Sequence, residues 1–192
     1  KCQSIIRGHL CRIKRLPNFL YTIQIFLKNH NIKICNDNND GRINSCIDED
    51  EVINLLLGRF ETRIKKGKVR MWYDILIYDY HYGWLPVNIK STTTLTTDNT
   101  GNLAMCVHSY TNEKLDLEKS YQNGKMSKIL LDKIKNEEFN FISKKDYYFL
   151  VVNKKKPGDI IINSIKGLTT LTPNINNLPF QVCWNKNRDF NY

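Results

Sequence analysis

Apolar positions recur along this chain with two different periods, and the switching between them predicts an α/β domain. Ile5, Ile6, Leu10 and Ile13 fall at helical spacing while Arg7, Arg12, Lys14 and Arg15 take other faces, which predicts a basic amphipathic helix ending near Pro17. A second amphipathic helix follows from Leu20 to Lys28. The polar stretch NDNNDGR at 36–42 contains the turn signal Asp40-Gly41 and is expected to separate this segment from the rest. Asp48-Glu49-Asp50-Glu51 then puts acidic groups where a helix N-terminus favours them, ahead of Val52, Ile53, Leu56 and Phe60, so a helix is predicted over 48–63.

The period then changes to two. WYDILIYDY at 72–80 is rich in aromatic and β-branched residues, HYG makes a turn, and WLPVNIKST at 84–92 supplies the partner strand. A helix over 118–136 carries Met126, Ile129, Leu130 and Ile134 on one side, and strands are predicted at 146–154, 159–167 and 180–184. This order predicts an α/β fold with a central mixed β-sheet flanked by helices and an N-terminal helical segment. The expected organisation is a basic helical segment at 1–35 and an α/β domain at 36–192. A length of 192 residues, 41 % of them hydrophobic and 11 % aromatic, is enough to fill one core.

Charge and composition narrow the partners. The formal charge of +10 and pI near 9.3 suit a polyanion, because each Lys or Arg set on a phosphate releases a condensed counterion. Cys2, Cys11, Cys35, Cys46, Cys106 and Cys183 are scattered without a C-x-x-C pair, so a zinc knuckle or redox site is not expected. The four histidines have no metal-ligand spacing, and there is no nucleophile-elbow motif. No apolar leader and no run near ~20 apolar residues is present, which predicts a soluble intracellular protein, in cytoplasm or nucleus, with no membrane partner.

The candidate chemistry lies in the hairpin. In Leu85-Pro86-Val87-Asn88-Ile89-Lys90, the period of two sends Val87 and Ile89 to one face and Asn88 and Lys90 to the other. Asp74 stands on the preceding strand, so hairpin pairing brings its carboxylate towards both. A carboxylate that holds Mg²⁺ next to a lysine that orients or deprotonates water is what phosphodiester hydrolysis needs. Mg²⁺ takes few protein ligands, so one Asp, a backbone carbonyl such as that of Ile89 and a helix-borne Glu would be sufficient.

Asp74 followed by PVNIKST resembles the PD-(D/E)xK signature of type II restriction endonucleases. The resemblance implies a restriction-endonuclease-like α/β/α core and Mg²⁺ held by Asp74, position 88 and an earlier helical glutamate, with Lys90 in catalysis. Glu49 fits the glutamate, since it shares a helical face with Val52, Ile53, Leu56 and Phe60; Glu51 is expected to be solvated. Asn88 stands where the family has an acidic residue, and Tyr73 where it has proline. The expected activity is Mg²⁺-dependent cutting of double-stranded DNA at specific sequences by a homodimer, whose two-fold symmetry suits a palindromic site.

Lys65, Lys66, Lys68 and Arg70, and the loop Lys154-Lys155-Lys156, are candidate phosphate contacts, while Thr92 and Thr93 could reach base edges. Asp98-Asn99 is expected to be a turn, and Trp184 a core residue. Residues 2–12 also resemble the IQ motif, with Cys2 in place of its leading Ile, which implies an EF-hand or calmodulin-like partner at 2–15. Together the two resemblances suggest a gene of a large eukaryote-infecting DNA virus. The competing expectation is a non-catalytic DNA-binding module that recruits an EF-hand protein through that helix.

Overall fold

The computed structural model describes residues 16–35, 37, 39–100, 103–140, 144–170, 172–173 and 180–188. The IQ-like segment at 2–15 and the helix predicted there lie outside the described residues. Four α-helices are described, α1 (Asn18–Lys28), α2 (Gly41–Phe60), α3 (Leu103–Tyr110) and α4 (Asn123–Lys135). The strands are β1 (Ile64–Lys66), β2 (Ile75–Asp79), β3 (Gly83–Thr92), β4 (Thr97–Thr100), β5 (Tyr148–Asn153), β6 (Ile160–Ser164), β7 (Thr172–Pro173) and β8 (Phe180–Cys183).

Five strands form one mixed sheet in the order β1-β2-β3-β5-β6, in which only β3 and β5 run parallel. The parallel pairing requires a long crossover, and that crossover carries β4, α3 and α4. The fold class is therefore the α/β class that the alternating periods predict. Period-two alternation divides the strands between two cores. Ile75, Ile77, Val87, Ile89, Leu150 and Ile162 pack under α1 and α2, whereas Leu76, Phe149, Val151 and Ile161 pack under α3, Val182 and Trp184 on the other face. Trp184 is a core residue, as its sequence context predicts.

Helix α1 follows Pro17 and buries Phe19, Leu20, Ile23 and Leu27, an i, i+1, i+4, i+8 stripe, each side chain contributing ~2 kcal/mol of apolar burial. These residues belong to the same apolar cluster as the strands, so α1 and the sheet share one core. Gln24 of α1 also donates from Nε2 to the carbonyl of Ile160 on the outer strand β6, at 2.9 Å.

Helix α2 starts seven residues earlier than its acidic run predicts. Asp40 is its N-cap, its Oδ1 accepting from the Arg42 N–H at 2.8 Å, so the Asp-Gly pair read as a turn is the helix start. Asp48 to Glu51 consequently lie in mid-helix. The helix predicted at 118–136 is the shorter α4, and α3 has no counterpart in the apolar pattern, because Ala104 through Ser109 are all buried and leave no polar face to set a period. Asp98 and Asn99 lie in β4, paired with β8, and do not form a turn.

No helix among the described residues is long and apolar enough to cross a membrane. Cys35, Cys46, Cys106 and Cys183 are thiols.

Candidate active site

Three elements bring the candidate residues together. Asp74 immediately precedes β2, and its N–H donates to the Val87 carbonyl at 3.0 Å, fixing the register of the hairpin around it. With Ile75 opposite Val87, Asp74 comes to lie beside Asn88 on the same sheet face. Asn88 Nδ2 and the backbone N–H of Ile89 both donate to Asp74 Oδ2, each at 2.7 Å. Glu49 of α2 reaches the far end of β3, where its Oε1 accepts from the Ser91 N–H at 3.4 Å.

The electrostatics join these groups to Lys90. Burial pushes the Glu49 carboxyl up to about 7, opposed by the Lys90 ammonium and reinforced by the charge of Asp74. Asp74 is also raised, first by burial, with the Ile89 N–H and Lys90 pulling the other way. Two carboxylates and one ammonium are thus electrostatically joined in partly desolvated surroundings, in which the charge of Asp74 makes Glu49 harder to ionise. The charge of Asp98, on β4, also contributes to raising Glu49; its own Oδ2 accepts from Trp184 Nε1 at 3.2 Å.

The Asn88 amide oxygen is buried and receives no hydrogen bond. A buried acceptor without a donor costs ~1–3 kcal/mol. The carbonyl of Ile89 points to the same edge as its N–H, towards Asp74 and away from β5. Among the described residues, no three of His, Cys, Asp and Glu are grouped so as to hold a metal. The donor set here is instead two carboxylates, one orphaned amide oxygen and one carbonyl, all hard oxygen atoms of the kind Mg²⁺ takes, so the residues fit that ion.

A second polar cluster sits behind the first and was missed by sequence reasoning. Asp48, with no exposed surface, accepts from Ser91 Oγ and from the Cys35 N–H, each at 2.7 Å. Lys154 Nζ lies 3.6 Å from Asp48 Oδ2 and donates to Ser45 Oγ at 2.9 Å. Ser91 therefore joins Asp48 through its hydroxyl and Glu49 through its N–H. The signal for Asp48 was present: Asn44, Asp48, Val52 and Leu56 form one i, i+4 stripe, all buried, once the helix is started at Gly41.

This cluster corrects the reading of Lys154 as a phosphate contact, because its ammonium is used inside the fold. Lys66 pairs with Asp50 at 2.8 Å and Lys68 with Glu118 at 3.4 Å, both exposed pairs of the kind worth ~0–1 kcal/mol that release readily to a competing anion. Arg70, Lys155 and Lys156 are exposed. Thr92 and Thr93 are half-buried at the end of β3. Glu51 is half-buried on α2, away from Asp74, and lines a groove with Phe26, His30 and Leu55.

Gly67, immediately after β1, supports the site. Its N–H donates to the Asp74 carbonyl at 2.7 Å, and a Cβ there would stand 2.8 Å from the Tyr73 carbonyl oxygen and 3.0 Å from that of Asp74. Only glycine lets the two backbones approach this closely.

No family model matches this chain, and no curated protein or solved structure does.

Proposed function

We propose that the chain is a Mg²⁺-dependent endonuclease that hydrolyses phosphodiester bonds of double-stranded DNA, working as a homodimer on a specific sequence. The observation that carries this reading is the convergence of Asp74, Glu49, Lys90 and the orphaned Asn88 Oδ1 on one end of the β2–β3 hairpin. Asp74, Glu49, Asn88 Oδ1 and the Ile89 carbonyl would hold the metal. A bound Mg²⁺ supplies charge neutralisation at the phosphate and a more acidic water.

The chain's own residues have distinct parts in this reading. The Asn88 and Ile89 N–H groups fix one oxygen of Asp74, so its carboxylate cannot swing away from β3. Glu49, whose carboxyl burial pushes up to about 7, is ionised more readily when a cation joins Lys90 beside it. Lys90 Nζ donates to the attacking water and orients it. The +10 charge draws the polyanion to the surface, and Lys155, Lys156 and Arg70 are available for phosphates.

One observation favours a second reading, a non-catalytic DNA-binding module. Asn88 supplies an amide where a carboxylate would add charge, and Asp74 Oδ2 already has two internal donors. The test is incubation with plasmid and genomic DNA in Mg²⁺, beside EDTA and Lys90→Ala controls, with products resolved on a gel. Discrete metal-dependent bands that vanish in the variant are expected. DNA left intact across substrates and metals, with binding that persists in EDTA, would leave the module standing.

A further inference from the structure

The turn end of the β2–β3 hairpin carries a group of aromatic rings that the proposed hydrolysis does not use. Tyr78 contacts Trp84 across the strands at 5.2 Å between ring centroids and Tyr80 at 5.9 Å. Tyr80 is 78 % exposed, and Tyr82 beside it 42 %. Such rings at a loop tip are costly to leave in water, and neither the apolar clusters nor the turn accounts for Tyr80 or Tyr82.

Two cations approach these rings, Arg63 lying closer still to the buried Phe19, 3.3 Å from its centroid. Lys65 Nζ lies 4.4 Å from the Trp84 centroid, and the Arg63 guanidinium lies 4.6 Å from that of Tyr80. Arg63 is held in place by two hydrogen bonds to the Tyr78 carbonyl, from Nε at 3.1 Å and Nη2 at 2.7 Å. Among the described residues neither cation has a carboxylate in ion-pair contact, in contrast to the nearby Lys66 and Lys68. The carboxylate of Asp79, which lines one groove with Arg63, is buried and accepts from the His81 N–H.

We infer that this hairpin end is a stacking platform for unpaired nucleotides, with Tyr80 and Trp84 taking base faces and Lys65 and Arg63 the flanking phosphates. Ring faces of bases are open only where a strand is unpaired, whereas a duplex shows a protein its base edges and backbone. The exposed Tyr80 and the half-buried Trp84, interleaved with cations that lack carboxylate partners among the described residues, complement that ligand in both apolar face and charge. Tyr78 and Trp84 also lie on the sheet face that holds Asp74 and Asn88, and four strand residues from Tyr78 to Asp74 span roughly 13 Å. The platform therefore lies alongside the candidate active site. The inference shares with the proposed function its nucleic-acid ligand and adds a preference for frayed, looped or single-stranded segments.

The test is fluorescence anisotropy of a labelled 12-nucleotide oligothymidylate, and of a labelled 12-base-pair duplex, titrated with the full chain in EDTA so that cleavage plays no part. Tyr80→Ala and Lys65→Glu are surface changes, and circular dichroism checks that both fold. Expected is an affinity for the oligothymidylate that drops on the order of tenfold in each variant, with the duplex nearly indifferent to Tyr80→Ala. The inference is overturned if the oligothymidylate does not bind, if Tyr80→Ala binds it unchanged, or if the variants alter self-association in sedimentation without altering oligonucleotide affinity. A failed plasmid assay leaves this titration standing, and a failed titration leaves the plasmid assay standing.

Discussion

Asn88 donates its amide nitrogen to Asp74 at 2.7 Å while its amide oxygen, buried in the same place, accepts nothing. The pair is satisfied on one side and open on the other, an arrangement suited to an added cation. Asn88→Asp removes the donor and sets a second carboxylate against the first. Without metal it should lower stability by about 2 kcal/mol, the value of a hydrogen bond to a charged group. Mg²⁺ should raise the melting temperature of the variant more than that of the unaltered chain, through binding to the folded state alone. Equal metal responses in thermal melts would remove Asn88 from any cation site.

Glu49 makes stability depend on pH in a defined direction. It titrates near 4.5 when unfolded and near about 7 when folded. Between those values the folded chain holds a proton that the unfolded chain has lost, so stability falls as pH rises through the window. The full effect is at most roughly 3 kcal/mol. Denaturant melts in EDTA should show this decline from pH 5 to pH 8, and Glu49→Gln should flatten it; parallel slopes for the two proteins would show that Glu49 is not the group responsible.

Gly67→Ala should disturb Asp74 without touching it. The added methyl meets backbone carbonyl oxygens, which cannot rotate out of the way as a side chain can. A cost of about 1–3 kcal/mol is expected, as for other overpacked sites. Hydrogen exchange at the Gly67 and Asp74 amides should accelerate first, and unchanged protection there would argue against the close approach.

Lys154 and Lys155 are neighbours with opposite roles. Lys154→Ala strands the buried Asp48 and should cost about 2 kcal/mol or more, while Lys155→Ala should stay within about 0.5 kcal/mol. Urea melts separate the two, and equal effects would contradict the internal placement of Lys154.

Most of the sheet was legible because the strand period is short and unambiguous. The β2–β3 hairpin, its turn at 80–82 and the approach of Asp74 to Asn88 all follow from alternation plus one turn. What escaped was governed by contacts between residues distant in sequence. β4 is recruited by β8 from more than eighty positions away, and its threonine-rich sequence carries no period of its own. Asp48 reads as part of a helix start because acidic runs favour N-termini, but Asp40 already caps the helix. Ser91 and Lys154 gain meaning only once β3, α2 and the turn after β5 are packed together.

The contact from Gln24 to the Ile160 carbonyl bears on how copies of this chain can meet. Outer strands invite other strands to extend a sheet, because half of their backbone groups lack partners. At β6 that edge is overlain by α1 and its first carbonyl is taken by a glutamine. At the opposite edge, β1 is three residues long and two of them are lysines. Each border of the five-stranded sheet thus carries a guard that disfavours its extension by a strand of another copy.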